Sequence, residues 1–141
     1  EAICHCGDIG SASVLETMAA ACAPGKIPVY AVLGNVDHWE PEVREFPRHT
    51  GIRICGQKAE IELAGRKIAV VHGYDPRLLF HTVRSGEHDY CLTGHTHHSD
   101  DFVEGRTRVI NPGAVYRSPT PSVAVLDLAR DVLEILWLRP K

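Results

Sequence analysis

Residues 89–98 read DYCLTGHTHH. The first five are apolar or β-favouring around a single polar start, so a strand is expected there. The second five break that pattern. Gly94 interrupts the run, and His95, His97 and His98 then place three imidazoles within four positions. Such a cluster makes poor core and poor helix. A neutral imidazole nitrogen is, however, the commonest metal ligand in proteins. A strand, then Gly, then a ligand-bearing loop is therefore the pattern to seek elsewhere in the chain.

It recurs three times. Asp8 follows the apolar run AICHC (2–6) in HCGDIG, Asn35 follows PVYAVL (28–33) in LGNVD, and His72 follows KIAVV (67–71) in VVHGY. Each has a glycine beside it, as His95 has Gly94. Loops at the C-terminal ends of strands in an α/β sheet converge on one crevice, where ligands bind. Carboxylate, amide oxygen and imidazole together suit a divalent transition metal. His95 and His97 alternate around Thr96, so only a loop could aim both at one centre. If they flank a shared site, two ions fit it, and Asp8 has two oxygens with which to bridge them.

The remaining runs outline an α/β chain. IRIC (52–55), AEIEL (59–63), TRVI (107–110), SVAVLDL (122–128) and VLEILWL (132–138) are expected strands. The pairs 59–63/67–71 and 122–128/132–138 are spaced as hairpins. Residues 11–23 read as a helix with Ser13 and Glu16 at capping-box spacing, stopped by Pro24-Gly25. Residues 40–48 suggest a short helix or turn, and 75–85 a helix with Leu78, Leu79, Thr82 and Val83 on one face. The expected architecture is two mixed sheets face to face with helices outside. The 141 residues fit one domain, 1–141, large enough to bury about 68–70% of its unfolded surface.

Composition narrows the function classes. Net charge is −3 with no basic stripe, so nucleic acid held by electrostatics alone is not expected. No apolar run approaches the ~20 residues of a membrane helix. Five cysteines at irregular spacing argue against a disulfide framework and for a reducing, cytoplasmic setting. Cys4, His5 and Cys6 alternate as strand residues and are expected to pack. His49, His81 and His88 are expected at the surface, His98 exposed or behind the ligands, and Asp100 and Asp101 in a solvated turn. Trp39 suits either packing or a substrate rim.

In order, Gly7-Asp8, Gly34-Asn35-x-Asp37, His72-Gly73, Gly94-His-Thr-His97 and Asn111-Pro-Gly113 resemble the motifs of the calcineurin-like metallophosphoesterases. The likeness is nearest to the small bacterial and archaeal phosphodiesterases, and it runs from residue 3 to the end. It implies an α/β/β/α sandwich and a dinuclear site. Asp8 would bridge the metals, Asn35, His72 and His95 would complete one, and His97 would serve the other. Asn111 and Gly113 would shape the adjoining loop. The implied cofactors are two divalent ions among Mn, Fe, Ni, Co and Zn, with Mn favoured. The implied reaction is attack of a metal-bridging hydroxide on a small phosphate ester, a diester by preference.

Two departures bear on that expectation. The family opens on a strand ending in D-x-H, which completes the His97 metal. No such motif precedes Glu1, so the resemblance implies an N-terminally incomplete domain whose first strand is missing. The open edges so created would favour a homodimer. Where many relatives place a proton-donating His after the asparagine, this chain has Val36, leaving Asp37 and His38 as candidates. The alternatives are a weakly active or inactive protein-binding scaffold of the same fold, and a mononuclear metal protein using Asp8, Asn35, His72 and His95.

Overall fold

The computed structural model describes residues 1–22, 26–47 and 50–138. Three short strands, β1 (Ile3–His5), β2 (Val29–Ala31) and β3 (Ile52–Ile54), form a parallel sheet in the order β1-β2-β3. A second sheet has the order β4-β5-β6-β8-β7, built from β4 (Lys58–Leu63), β5 (Arg66–Val71), β6 (Tyr90–Leu92), β7 (Ser99–Glu104) and β8 (Thr107–Pro112). Its centre β5-β6-β8 is parallel, and its edges β4 and β7 pair antiparallel. The hairpin β9 (Ser122–Asp127) and β10 (Val132–Trp137) stands as a separate two-stranded unit. Both expected hairpins form, 58–63 with 66–71 and 122–127 with 132–137.

The period-2 alternation of side chains explains how the layers stack. In β5, Ile68 and Val70 face one way and join Val32, Ala59, Tyr90 and Ile110 in the core between sheets. Val71 faces the other way, against Val83, Leu78 and Leu79 of α3 (Pro76–Arg84). A strand buried on both faces must be apolar throughout, which is why KIAVV shows no alternation. Leu126, Leu128 and Leu133 bring the β9–β10 hairpin into the inter-sheet core, together with Cys4, Cys6 and Cys55. On the outer side of β1-β2-β3, Leu15 of α1 (Ala12–Ala21) packs on Val29, Ala31 and Ile52 with Val43 of α2 (Pro41–Arg44). The layers are thus helix, sheet, sheet, helix, as expected. Each fully buried Val, Leu or Ile contributes about 1.5–3 kcal/mol relative to exposure.

Three local expectations change, and two fall on residues outside those described. Helix α1 starts at Ala12 with Ser11 in the capping position, and Ser13 bonds Ser11 through their hydroxyls at 2.8 Å instead of capping. Residues 23–25 and 48–49, which include the expected Pro24-Gly25 stop and His49, lie outside the described residues. Asp100 and Asp101 are not in a turn: they belong to edge strand β7, where Arg108 of β8 grips Asp101 with two 2.8 Å bonds. An acidic, solvent-facing edge strand is tolerated because charge discourages pairing with other chains. His88 is buried, not superficial, because Glu60 takes its Nε2 at 2.9 Å.

Candidate metal centre

Four loops at strand C-terminal ends carry the expected ligands. Asp8 follows β1, Asn35 lies beyond β2, His72 follows β5 and His95 follows β6. Donor atoms of Asp8, His72 and His95 lie within 4.8 Å of one another. His72 is the buried centre of the group, whereas Asn35 and His95 face solvent.

The geometry around His72 fixes its chemistry. Its Nδ1 lies 2.6 Å from the carbonyl oxygen of Cys6, which can only accept, so Nδ1 carries a proton. In the neutral ring Nε2 is then a bare lone pair. It faces Asn35 Oδ1 at 3.2 Å, Asp8 Oδ2 at 3.3 Å and His95 Nδ1 at 3.3 Å. Lone pairs aimed at one another repel unless a cation lies among them. Ligands bound at about 2.0–2.2 Å to one ion stand roughly 3–3.4 Å apart. Donor type, convergence and spacing therefore fit a divalent metal held by Asp8, Asn35, His72 and His95. The Cys6 carbonyl is the outer partner that orients His72, as is usual for metal-bound imidazoles.

The backbone is set to serve this arrangement. Asp8, His95 and His97 have φ of 54°, 68° and 61°, the left-handed region that non-glycine residues rarely enter. Such strain concentrates at functional sites. Gly7 has φ 90°, and a Cβ there would lie 2.7 Å from His72 Nδ1. A Cβ on Gly34 would collide with the Asp8 carboxylate and its amide nitrogen. Both glycines are needed for close approach. Asn111 is buried and pins the histidine loop: its Nδ2 donates to Gly94 O at 2.8 Å and Thr96 Oγ1 at 3.1 Å, while Oδ1 accepts from Gly113 N at 3.0 Å.

The other candidates fall elsewhere. His97 lies outside the close group; its Nδ1 donates to the Arg117 carbonyl at 3.1 Å, leaving Nε2 as its free lone pair. Asp37 is fully buried and accepts backbone N–H bonds from Gly34 at 2.8 Å, Gly10 at 2.9 Å and Ile9 at 3.1 Å. It clamps the Asp8 loop to the Asn35 loop and presents no free oxygen. His38 bonds Tyr74 Oη through Nε2 at 2.7 Å, and the Tyr74 ring is 5.9 Å from that of His72. Gln57 also donates to Tyr74 Oη, at 3.0 Å. Trp39 is 85% exposed, which rules out packing as its role. His98 is exposed.

The cysteines are packing residues. Burial pushes the thiols of Cys4 and Cys91 up to about 11 and that of Cys6 higher still, so they pack as uncharged groups. Burial also lowers the pKa of His5, an effect that the nearby Asp37 carboxylate opposes. Tyr74, Gln57, Arg117 and the Cys6 carbonyl carry no motif that marks them in the sequence. Adjacency to His72 points to Tyr74, but a carbonyl leaves no residue-type signal, and Gln57 and Arg117 are distant in sequence from what they touch.

A two-sheet sandwich with a carboxylate, an amide and imidazoles converging at its strand ends defines a metallophosphoesterase-type fold. The chain belongs to the calcineurin-like phosphoesterase superfamily, whose domain profile matches residues 1–131. It is 27% identical over 130 residues to a phosphodiesterase of Methanocaldococcus jannaschii, covering 90% of this chain and 76% of that protein. The solved structure of a novel archaeal phosphodiesterase superposes with a TM-score of 0.84 at 25% identity, covering 98% of this chain and 83% of that one. The zinc complex of Vps29 from Entamoeba histolytica shares the fold, with a TM-score of 0.56 at 18% identity over 98% of this chain and 81% of that one. Among the described residues no helix is long and apolar enough to cross a membrane.

Proposed function

We propose that this chain is a divalent-metal-dependent phosphodiesterase acting on a small phosphate ester. The observation that carries the reading is the convergence of Asp8, His72 and His95 on one point, with His72 Nδ1 taken up by the Cys6 carbonyl and Nε2 facing the group. Membership of the phosphoesterase superfamily and the likeness to archaeal phosphodiesterase in sequence and in structure support it.

Asp8, Asn35, His72 and His95 would hold one ion, and Asp8 with His97 would contribute to a second; manganese is favoured over Fe, Ni, Co and Zn. When bound, such ions neutralise charge on the phosphoryl oxygens and activate water. The protein's share is positional. Asp8 keeps Oδ1 oriented through the Val36 amide at 3.2 Å and aims Oδ2 at His72. Asn111 fixes the His95 loop. We assign Asp37 to holding the two ligand loops together, and His38, joined to Tyr74 at the rim, to protonating the leaving oxygen from its ring nitrogen. A mononuclear version has one observation in its favour: His97 stands outside the close group.

The test is hydrolysis of bis-p-nitrophenyl phosphate by protein equilibrated with Mn²⁺, with Asp8→Asn and His72→Ala alongside. Turnover that both substitutions cut by about 10²-fold or more is expected, since loss of a ligand removes most of the transition-state charge stabilisation. Wild-type protein that retains metal without turnover would favour a binding scaffold of the same fold. His38→Ala should slow esters with poor leaving groups and spare those with good ones, by about 10²-fold for a general acid.

A further inference from the structure

The loop between β8 and β9 holds a feature that the ligand set leaves unused. Arg117 accepts the His97 Nδ1 proton on its carbonyl oxygen at 3.1 Å, and Ser118 Oγ donates back to the His97 carbonyl at 3.4 Å. The two loops are clasped at His97. The base of the loop is closed by Ser122, whose amide donates to Ala114 O at 3.1 Å and whose hydroxyl donates to Pro112 O at 2.7 Å. Arg117 itself is held at φ 54°, in the left-handed region that non-glycine residues rarely enter. Its guanidinium rests over the Tyr116 ring, 5.4 Å from the centroid, and both side chains are exposed. Among the described residues no carboxylate pairs with it.

Arg53 also rests on an aromatic ring, that of Tyr30, but only Arg117 is bonded through its own backbone to a candidate ligand. Arg84 is neutralised by Glu104 and Arg108 by Asp101 and Asp131. Arg117 is propped on an aromatic face, fixed through its own backbone to a candidate ligand, and left without an anion. A planar guanidinium matches two phosphate oxygens at once, which a lysine cannot do.

Resting on the phosphodiesterase reading, we infer that Arg117 is a specificity-determining residue whose guanidinium receives phosphate oxygens of the substrate, with Tyr116 as its prop. The phosphate is either the scissile group or a second one on the same substrate. In either case the arginine sets affinity more than the rate of bond breaking. Neutralising it raises KM and leaves kcat nearly as it was.

The test uses Mn²⁺-equilibrated protein, Arg117→Gln, Arg117→Lys and Tyr116→Leu. Arg117→Gln should raise KM about tenfold or more, as expected for losing a charge-assisted bidentate contact. Arg117→Lys should recover part of that loss, and Tyr116→Leu should raise KM about two- to fivefold, the scale of an exposed cation–π contact. Inorganic phosphate, titrated calorimetrically, should bind more weakly to Arg117→Gln, and its affinity should lose part of its salt dependence. Metal content should be unchanged, since the clasp uses the backbone. A thymidine dinucleotide with and without a 5′-phosphate separates the two sources. A KM effect on both forms assigns the scissile phosphate; an effect on the phosphorylated form alone assigns the second. Wild-type turnover with KM and phosphate affinity unaltered in Arg117→Gln would overturn the inference alone. Wild-type protein without turnover would overturn the phosphodiesterase reading, and the inference with it.

Discussion

At the scale of single residues, the centre is held by constraints on atoms that never touch a metal. The Cys6 carbonyl takes the His72 Nδ1 proton, and that one bond decides which ring nitrogen faces the group. Gly7 is needed for this bond to form, because any side chain there would meet the His72 ring at 2.7–2.8 Å. Gly7→Ala is therefore expected to weaken Mn²⁺ binding by about tenfold or more, the usual cost of disturbing a ligand's outer partner. It should also cost about 1–3 kcal/mol of stability, because alanine resists positive φ. Calorimetric Mn²⁺ titration and thermal melting of the variant check both. Asp37→Ala should act differently. Three buried backbone N–H groups would lose their acceptor, and each costs about 1–3 kcal/mol when orphaned. A drop of about 3–5 kcal/mol in denaturant melts is expected, and an unchanged midpoint would contradict the clamp.

At the scale of elements, the ligand loops follow strands whose sheets are fixed by packing, and a separate polar network ties the five-stranded sheet to the β9–β10 hairpin. Arg108 of β8 bonds Asp101 of β7 through Nε and Nη2, both at 2.8 Å, and reaches Asp131 in the β9–β10 turn through Nη1 at 2.6 Å. Tyr90 Oη donates to the same Asp131 carboxylate at 2.7 Å. The Arg108 guanidinium, chiefly by hydrogen bonding, holds the Asp101 carboxyl below its ordinary 3.8. A depressed carboxyl pKa gives stability that is present above the unfolded value and lost as pH falls through the folded one. Arg108→Gln should thus be less stable than wild type near pH 6, by about 0.5–1 kcal/mol given the exposure of Asp101. The gap should narrow as pH drops below about 4. Melts at both pH values test this, and a gap that widens in acid would contradict the assignment.

Legibility in the sequence varies with the source of each interaction. The strands AICHC, KIAVV and DYCLT and helix α3 declare themselves, because their burial pattern is written in adjacent residues. Asp75 caps α3 by accepting from Arg77 N and Leu78 N, a local signal of the same kind. Strand β7 is not legible, because its first three residues, SDD, are polar and its pairing comes from β8. The candidate ligands Asp8, Asn35, His72 and His95 are readable because glycines mark each loop. The role of Asp37 is not, since its partners Ile9 and Gly10 are 28 and 27 residues away.

At the scale of the whole molecule, the centre lies where the loops of both sheets meet. Asp8 and Asn35 come from the β1-β2-β3 sheet, and His72 and His95 from the five-stranded one. An ion bound there cross-links the layers. Its removal should lower the thermal midpoint, since a ligand at 100 times its dissociation constant stabilises the folded state by about 2.7 kcal/mol. A chelator is expected to shift the melt downward by several degrees and added Mn²⁺ to restore it. The strand order β4-β5-β6-β8-β7, with β8 inserted between β6 and β7, is a property of this scale as well. Nothing local in the sequence encodes it, because it depends on which parallel strand completes the core beside β6.

The most direct measurement is metal content by elemental analysis, on protein equilibrated with Mn²⁺ and desalted, wild type beside His72→Ala and His97→Ala. The account predicts that wild type retains up to two ions per chain, that His72→Ala loses the ion held with Asp8, Asn35 and His95, and that His97→Ala keeps that ion and loses only the other. Wild-type protein that retains no metal, or His72→Ala that retains as much as wild type, would contradict it.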